Sequence, residues 1–194
     1  MDLARMEAGI REFLYGLGER FAGDDLEATP GRVARAWAED LVAGYSEDPE
    51  GELTWMAAPP GSGVVLVRHI RFASVCVHHL LPFVGVAHVG YLPGARLAGV
   101  SKIGRVVEIH ARRLQIQERL TSAILATVGR ILEPNGALVV LDAEHTCMTL
   151  RGVKKEGSRL VTLAASGVYQ SDVAARGELL GLLAPAGGGL SGPR

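Results

Sequence analysis

Residues 72–83 read F-A-S-V-C-V-H-H-L-L-P-F, placing Cys76, His78 and His79 within four positions of an otherwise apolar segment. The only other cysteine, Cys147, sits in E-H-T-C-M-T-L-R-G with His145 two residues before it. Thiolate and imidazole are the donors Zn²⁺ prefers, and C-x-x-H lets both ends reach one ion. Two Cys/His clusters so far apart point to one site closed by two elements. Cys76, His79 and Cys147 would supply three ligands, leaving a fourth position for water, the pattern of a catalytic rather than a structural zinc site. The competing reading is a pair of buried cysteines beside hydrogen-bonded histidines.

Working outward, residues 63–70 (G-V-V-L-V-R-H-I) are β-branched and read as a strand. Residues 84–92 read as a second strand and 96–100 as a short third. A long helix is expected over 105–132, with Ile109, Ile116, Leu120, Ile124, Val128 and Ile131 as its apolar stripe. Residues 137–150 and 158–169 read as a final strand pair. If 145–151 is extended, His145, Cys147, Thr149 and Arg151 share one face. On the N-terminal side, 2–21 reads as an amphipathic helix. A second helix starts at Thr29-Pro30, with Thr29 as cap, and ends near Gly44. Residues 45–63 read as a loop. The domain reading is an N-terminal helical region over 1–62, a catalytic domain over 63–184 and a disordered tail over 185–194.

Other polar groups fall near these elements. Gln117 and Glu118 border the helix stripe, and a carboxylate there needs a partner. That partner is either a nearby arginine or a ligand with N–H groups, such as a guanine edge. Ser101, Lys102 and Arg105 lie where a strand gives way to a helix, and helix starts favour anions. They read either as a solvated helix end or, with Arg151, as a phosphate cradle. His78 faces the same pocket as His79 only if the segment turns. His69, His88 and His110 read as structural or surface residues.

The chain has 194 residues and a net charge of −1, which disfavours polyanion binding by the molecule as a whole. Arg112, Arg113 and Arg119 alternate with acids and lack aromatic platforms, so nucleic acid is not an expected partner. The N-terminus carries charges throughout and no apolar core of a signal peptide, and no run is long enough to span a membrane, so a cytoplasmic location is expected. In that compartment two cysteines are more often free or metal-bound than bridged.

Five stretches carry a resemblance: T-P-G-R-V-A-R-A-W, C-V-H-H-L-L-P-F-V-G-V-A-H-V, G-V-S-K-I-G-R-V-V-E, R-R-L-Q-I-Q-E-R-L-T and E-H-T-C-M-T-L-R-G-V, collinear from Thr29 to Val153. The chain resembles GTP cyclohydrolase I. The resemblance implies an α+β tunnel fold, an antiparallel sheet with helices on one side, assembled into a homodecamer with active sites between subunits. It implies zinc on Cys76, His79 and Cys147, and acid/base roles for His78 and His145. It further implies guanine contacts from Gln117 and Glu118, and ribose and triphosphate contacts from Ser101, Lys102, Arg105 and Arg151. The implied reaction converts GTP and water to 7,8-dihydroneopterin triphosphate and formate, at the start of folate-type biosynthesis. Two other readings remain: a tunnel-fold relative acting on another purine nucleotide or stopping at a ring-opened product, and a non-catalytic zinc-stabilised nucleotide-binding oligomer. One position departs from the family's C-E-H-H pattern, where this chain has Val77.

Overall fold

A computed structural model describes residues 1–18 and 26–183. In chain order the elements are helix α1 (Leu3–Gly16), α2 (Thr29–Ala36), a one-turn α3 (Pro49–Glu52), strand β1 (Trp55–Ala57), β2 (Val65–Cys76), β3 (Pro82–Leu92) and β4 (Arg96–Ala98). They continue with α4 (Val100–Ala111), β5 (Leu114–Gln115), α5 (Gln117–Leu132), β6 (Gly136–His145), a one-turn α6 (Thr146–Thr149), β7 (Leu160–Gly167), a one-turn α7 (Val168–Ser171) and α8 (Val173–Gly181).

The main sheet has the order β5-β2-β3-β6-β7, and its long neighbours pair antiparallel. Strand alternation divides its two faces. On one face Phe83, Ala87, Val89 and Tyr91 of β3 and Ala137, Val139, Leu141 and Ala143 of β6 form the core. Against them pack Ile103, Val106 and Val107 of α4 and Leu120, Ile124, Val128 and Leu132 of α5. Four apolar residues at i, i+4, i+8 and i+12 give α5 the stripe that a core-facing helix requires. On the opposite face Leu138 and Val140 of β6 meet Tyr169 and Leu179 in a smaller cluster, so the C-terminal helices cover one end of that side. The expected α+β class, an antiparallel sheet with its long helices on one side, is the observed one.

Several boundaries differ from expectation, each for a tertiary reason. The single helix expected over 105–132 is two. Between them Leu114 and Gln115 form a short parallel pairing with Val75 and Cys76. Arg113 anchors the break: its Nε donates to the Gly44 carbonyl at 2.9 Å, and a terminal nitrogen donates to the Glu47 carbonyl at 3.3 Å. A side chain at Gly44 would collide with the Ile109 carbonyl, so glycine is what allows this close approach. The strand expected to reach residue 150 ends at His145, and Cys147 lies in the helical turn α6. The alternating-face argument for His145, Cys147, Thr149 and Arg151 therefore fails.

The strand expected over 63–70 instead runs to Cys76, past an irregularity between Val67 and Ile70 where His69 has φ 56°. The expected loop over 45–63 contains α3 and β1, and β1 pairs with β4 in a separate two-stranded sheet. Ala28, not Thr29, occupies the cap of α2, and Thr29 instead accepts from Arg32 at 2.7 Å. The second helix gives way after Ala36 to a wider turn over Trp37–Leu41 and a tight one over Ala43–Ser46. The end of the expected helix over 2–21 and the expected tail over 185–194 lie outside the described residues. No helix among the described residues is long and apolar enough to cross a membrane.

Candidate functional site

The β2–β3 connection builds the first half of the site. Cys76 ends β2, and residues 77–79 form a turn. It is closed by the Leu80 N–H donating to the Cys76 carbonyl and the Cys76 N–H donating to the Leu81 carbonyl, both at 2.9 Å. Leu80 takes up φ 55° to complete the reversal. Because the segment turns, both imidazoles come back to the sulfur: Nδ1 of His78 and Nδ1 of His79 each lie 4.0 Å from Cys76 Sγ.

The second half arrives through sheet order. Phe83 of β3 pairs with His145 of β6, so the end of β6 sits beside the start of β3, one strand from Cys76. Thr146 Oγ1 donates to the Pro82 carbonyl at 2.5 Å and fixes the turn of α6 against β3. That turn carries Cys147 to the first cluster. One ligand atom from each of Cys76, His79 and Cys147 lies within 4.8 Å of the others.

This donor set fits a divalent zinc ion. Bonds of about 2.3 Å to sulfur and about 2.0–2.1 Å to nitrogen at tetrahedral angles put ligands roughly 3.5–3.8 Å apart. The observed 4.0 Å from Cys76 Sγ to the His79 nitrogen is close to that spacing. The electrostatics agree. Burial pushes the Cys147 thiol above its ordinary range, and the neighbouring Cys76 adds to the rise, with Arg151 opposing. A cation bound at Cys147 would offset the cost that burial and its neighbour set against the thiolate there.

His145, two residues before Cys147, is held from two directions. The Phe83 ring stacks on its imidazole with centroids 4.4 Å apart and planes 4° from parallel. Its Nε2 lies 2.9 Å from Oε1 of Gln117. Burial lowers the pKa of His145, and the Glu118 carboxylate, exposed on the first turn of α5, raises it in part. Gln117 is 1% exposed. Its amide nitrogen lies 2.9 Å from the Leu160 carbonyl, 3.1 Å from Thr162 Oγ1 and 3.2 Å from the Leu141 carbonyl. The Gln117 side chain, expected to contact guanine, is thus engaged entirely with protein groups.

Ser101, Lys102 and Arg105 lie on the first turns of α4, and the two cations pair elsewhere. Lys102 Nζ is 3.2 Å from Glu52, and Arg105 is 2.9 Å from Glu108 and 3.6 Å from Glu47. Among the described residues no contact joins these three to the Cys/His cluster. An open cleft of about 590 Å³ between β2 and α4 is lined by Arg71, Gly104, Glu108 and Arg112 but by none of the metal donors. Arg151 is exposed in the loop after α6, near enough to Cys147 to act on its thiol. The sequence reading did not single out Phe83, Thr121 or Thr162. An aromatic or threonine in a strand carries no local signal that distinguishes support of a histidine from ordinary packing.

Residues 6–184 match the family model described as GTP cyclohydrolase I. The chain belongs to the GTP cyclohydrolase I family. The GTP cyclohydrolase 1 of Mycobacterium tuberculosis (strain ATCC 25618 / H37Rv) is 47% identical over 184 residues, covering 94% of this chain and 91% of that protein. The GTP cyclohydrolase 1 of Thermobifida fusca (strain YX) is 46% identical over 185 residues, covering 94% and 89%. Among solved structures, the apo form of the archaeosine synthase QueF-Like aligns with TM-score 0.47 and 19% identity over 55% of this chain and 96% of that one. Membership in the GTP cyclohydrolase I family makes the chain an enzyme of that type, with the tunnel fold of the family.

Proposed function

We propose that this chain hydrolyses the imidazole ring of the guanine of GTP and carries the product on to 7,8-dihydroneopterin triphosphate and formate. The observation that carries the reading is the convergence of Cys76, His79 and Cys147 within 4.8 Å, from two distant segments. They would hold zinc, which lowers the pKa of a bound water to about 7 and so supplies hydroxide at neutral pH.

The chain's own groups then divide the work. His145, packed flat on Phe83, gives a proton to the ring nitrogen as the C8–N9 bond breaks. His78, on the same turn as His79, serves the later proton transfers at the ribose together with Ser101. Glu118 accepts the N1–H and exocyclic amine of guanine, and its exposure on the first turn of α5 leaves it free to do so. Lys102, Arg105 and Arg151 neutralise the triphosphate. Two waters enter, one leaves on ring closure, and C8 departs as formate.

The assembly reading follows from where those residues lie. Among the described residues Lys102 and Arg105 pair with Glu52, Glu47 and Glu108 and make no contact with the metal donors. Among the described residues both ends of the sheet are open: β7 pairs only with β6, and β2 is paired on its outer side only at Val75 and Cys76. Free edges of this length invite pairing with further copies, and a head-to-tail contact that closes gives a ring. We take the active site to form between neighbouring chains of a decamer, with residues 1–62 as a helical region serving assembly and 63–184 carrying the chemistry. A cytoplasmic location and a role in folate-type biosynthesis accompany this reading.

The deciding experiment incubates zinc-loaded protein with GTP, oxidises the mixture, and measures pterin fluorescence and formate. Equimolar formate and pterin are expected. Formate without pterin would indicate a ring-opened product, and neither product would remove GTP as substrate.

A further inference from the structure

The hydrogen bonds around Gln117 determine which nitrogen of His145 carries hydrogen. Carbonyl oxygens only accept, so the Leu160 and Leu141 carbonyls, at 2.9 and 3.2 Å, must face the NH₂ end of the Gln117 amide. The third neighbour of that end, Thr162 Oγ1, is held in the same sense. Thr121 Oγ1 donates to the Gln117 main-chain carbonyl at 2.8 Å. Its hydrogen is therefore spent, and at the 2.7 Å contact between the two threonines Thr162 is the donor. Thr162 thus turns a lone pair toward the Gln117 amide nitrogen at 3.1 Å. The two amide hydrogens are shared among three acceptors, two of them carbonyls, and the amide cannot flip without setting oxygen against both carbonyls.

Only Oε1 of Gln117 is left for His145, and an amide oxygen can only accept. The Nε2 of His145, 2.9 Å away, must therefore carry hydrogen. We infer that Gln117, locked by the Leu141 and Leu160 carbonyls and the Thr121–Thr162 pair, is a positioning residue that fixes the Nε2–H tautomer of His145 and so leaves Nδ1 as the ring nitrogen available to substrate. Gln117 then acts on substrate through His145 and does not contact guanine. The inference rests on the proposed function for its kinetic consequence but not for its tautomer.

The test uses the full-length, zinc-loaded assembly in two arms. Solid-state NMR on protein labelled with ¹⁵N-histidine, with the His145 resonances assigned by their loss in His145→Asn, reads the tautomer directly at a pH where the ring is neutral. The native protein is expected to show protonated Nε2 and bare Nδ1, and Gln117→Leu to show a mixture. In steady-state kinetics Gln117→Leu is expected to lower kcat about tenfold or more with KM for GTP within about threefold, the mark of an interaction made in the transition state rather than in binding. Should Gln117→Leu fold poorly, Thr162→Val is expected to give a smaller loss in kcat, recovered to within about twofold by Thr162→Ser. A bare Nε2 in the native protein, or an unmixed tautomer in Gln117→Leu, would overturn the inference. So would a raised KM with kcat intact, which would return Gln117 to the guanine. If native protein fails to turn over GTP, the proposed substrate falls and the NMR arm alone judges the tautomer.

Discussion

At the scale of single residues the site is a balance between chemistry that side-chain type dictates and surroundings that it does not. Cys76, His79 and Cys147 are donors wherever they stand, and their proximity makes them a set. Replacing Cys147 with Ala is expected to lower zinc affinity by more than about tenfold, read by metal analysis after dialysis, because two remaining donors cannot close a three-ligand site. Val77 is 37% exposed on the outside of the turn, with its N–H donating to the Gln115 carbonyl at 3.0 Å. A Glu there meets solvent, so Val77→Glu should alter stability by no more than about 0.5 kcal/mol. Any gain in GTP turnover then reports on a carboxylate beside the metal ligands, an effect of about 10–100-fold where such neighbours matter. His110 is a different case. It is buried between α4 and α5, 2.9 Å from Thr127 Oγ1, and burial followed by Arg113 and Arg130 lowers its pKa to about 4. Below its ordinary value of 6.5 the unfolded chain binds a proton that the folded chain refuses, so stability is full above pH 6.5 and falls as pH drops toward 4. The loss from this group is at most about 3 kcal/mol. Denaturation at fixed protomer concentration at pH 7 and pH 5 should show a smaller difference for His110→Gln than for the native protein.

At the scale of elements, the break between α4 and α5 does most to shape the site. An unbroken helix would carry Gln117 past the sheet. The extended Leu114–Gln115 pairing sets Gln115 next to Cys76 and lets α5 begin beneath His145. Arg113 holds that break through two main-chain carbonyls, and its guanidinium lies 5.9 Å from the Tyr45 ring. Arg113→Ala leaves those carbonyls with one partner fewer and is expected to cost about 1–3 kcal/mol. Because the same contacts place Gln117, activity should fall by more than the unfolded fraction explains, which a comparison of unfolding midpoints with turnover at 25 °C would check. None of this was legible in the periodicity. Apolar residues keep helical spacing from Ile109 to Leu132, and the interruption follows from bonds to residues near position 45. Cys147 teaches the same lesson. Its segment reads as a strand because E-H-T-C-M-T-L has no breaker, yet the Thr146 hydroxyl bond to Pro82 accompanies its turn into a helix.

At the scale of the whole molecule, the single chain holds the metal donors, His145 and Glu118 at one end of the sheet, with the α4 cations paired elsewhere. If the site forms between chains, a variant dead at the metal and a variant dead at the cations should complement each other. Co-expression of Cys147→Ala with Arg105→Ala is expected to restore measurable turnover that neither shows alone, through sites that draw both intact halves from different chains. Absence of any recovery in verified mixed assemblies would place the phosphate contacts within one chain. Removal of zinc by a chelator should lower Tm as well as activity, since an ion that binds only the folded state stabilises by mass action.

Side-chain chemistry was readable from the linear order. Two sulfurs, their neighbouring imidazoles and the carboxylate of Glu118 announce themselves by residue type, because what an atom can coordinate or accept is a local property. The antiparallel sheet and the α5 stripe were readable for a related reason, since burial imposes a period on nearby positions. The end of the long helix, the turn that delivers Cys147 and the engagement of Gln117 with His145 were decided in three dimensions. Each depends on a hydrogen bond or a packing contact to a residue far away along the chain, and nothing in the spacing of neighbours records it.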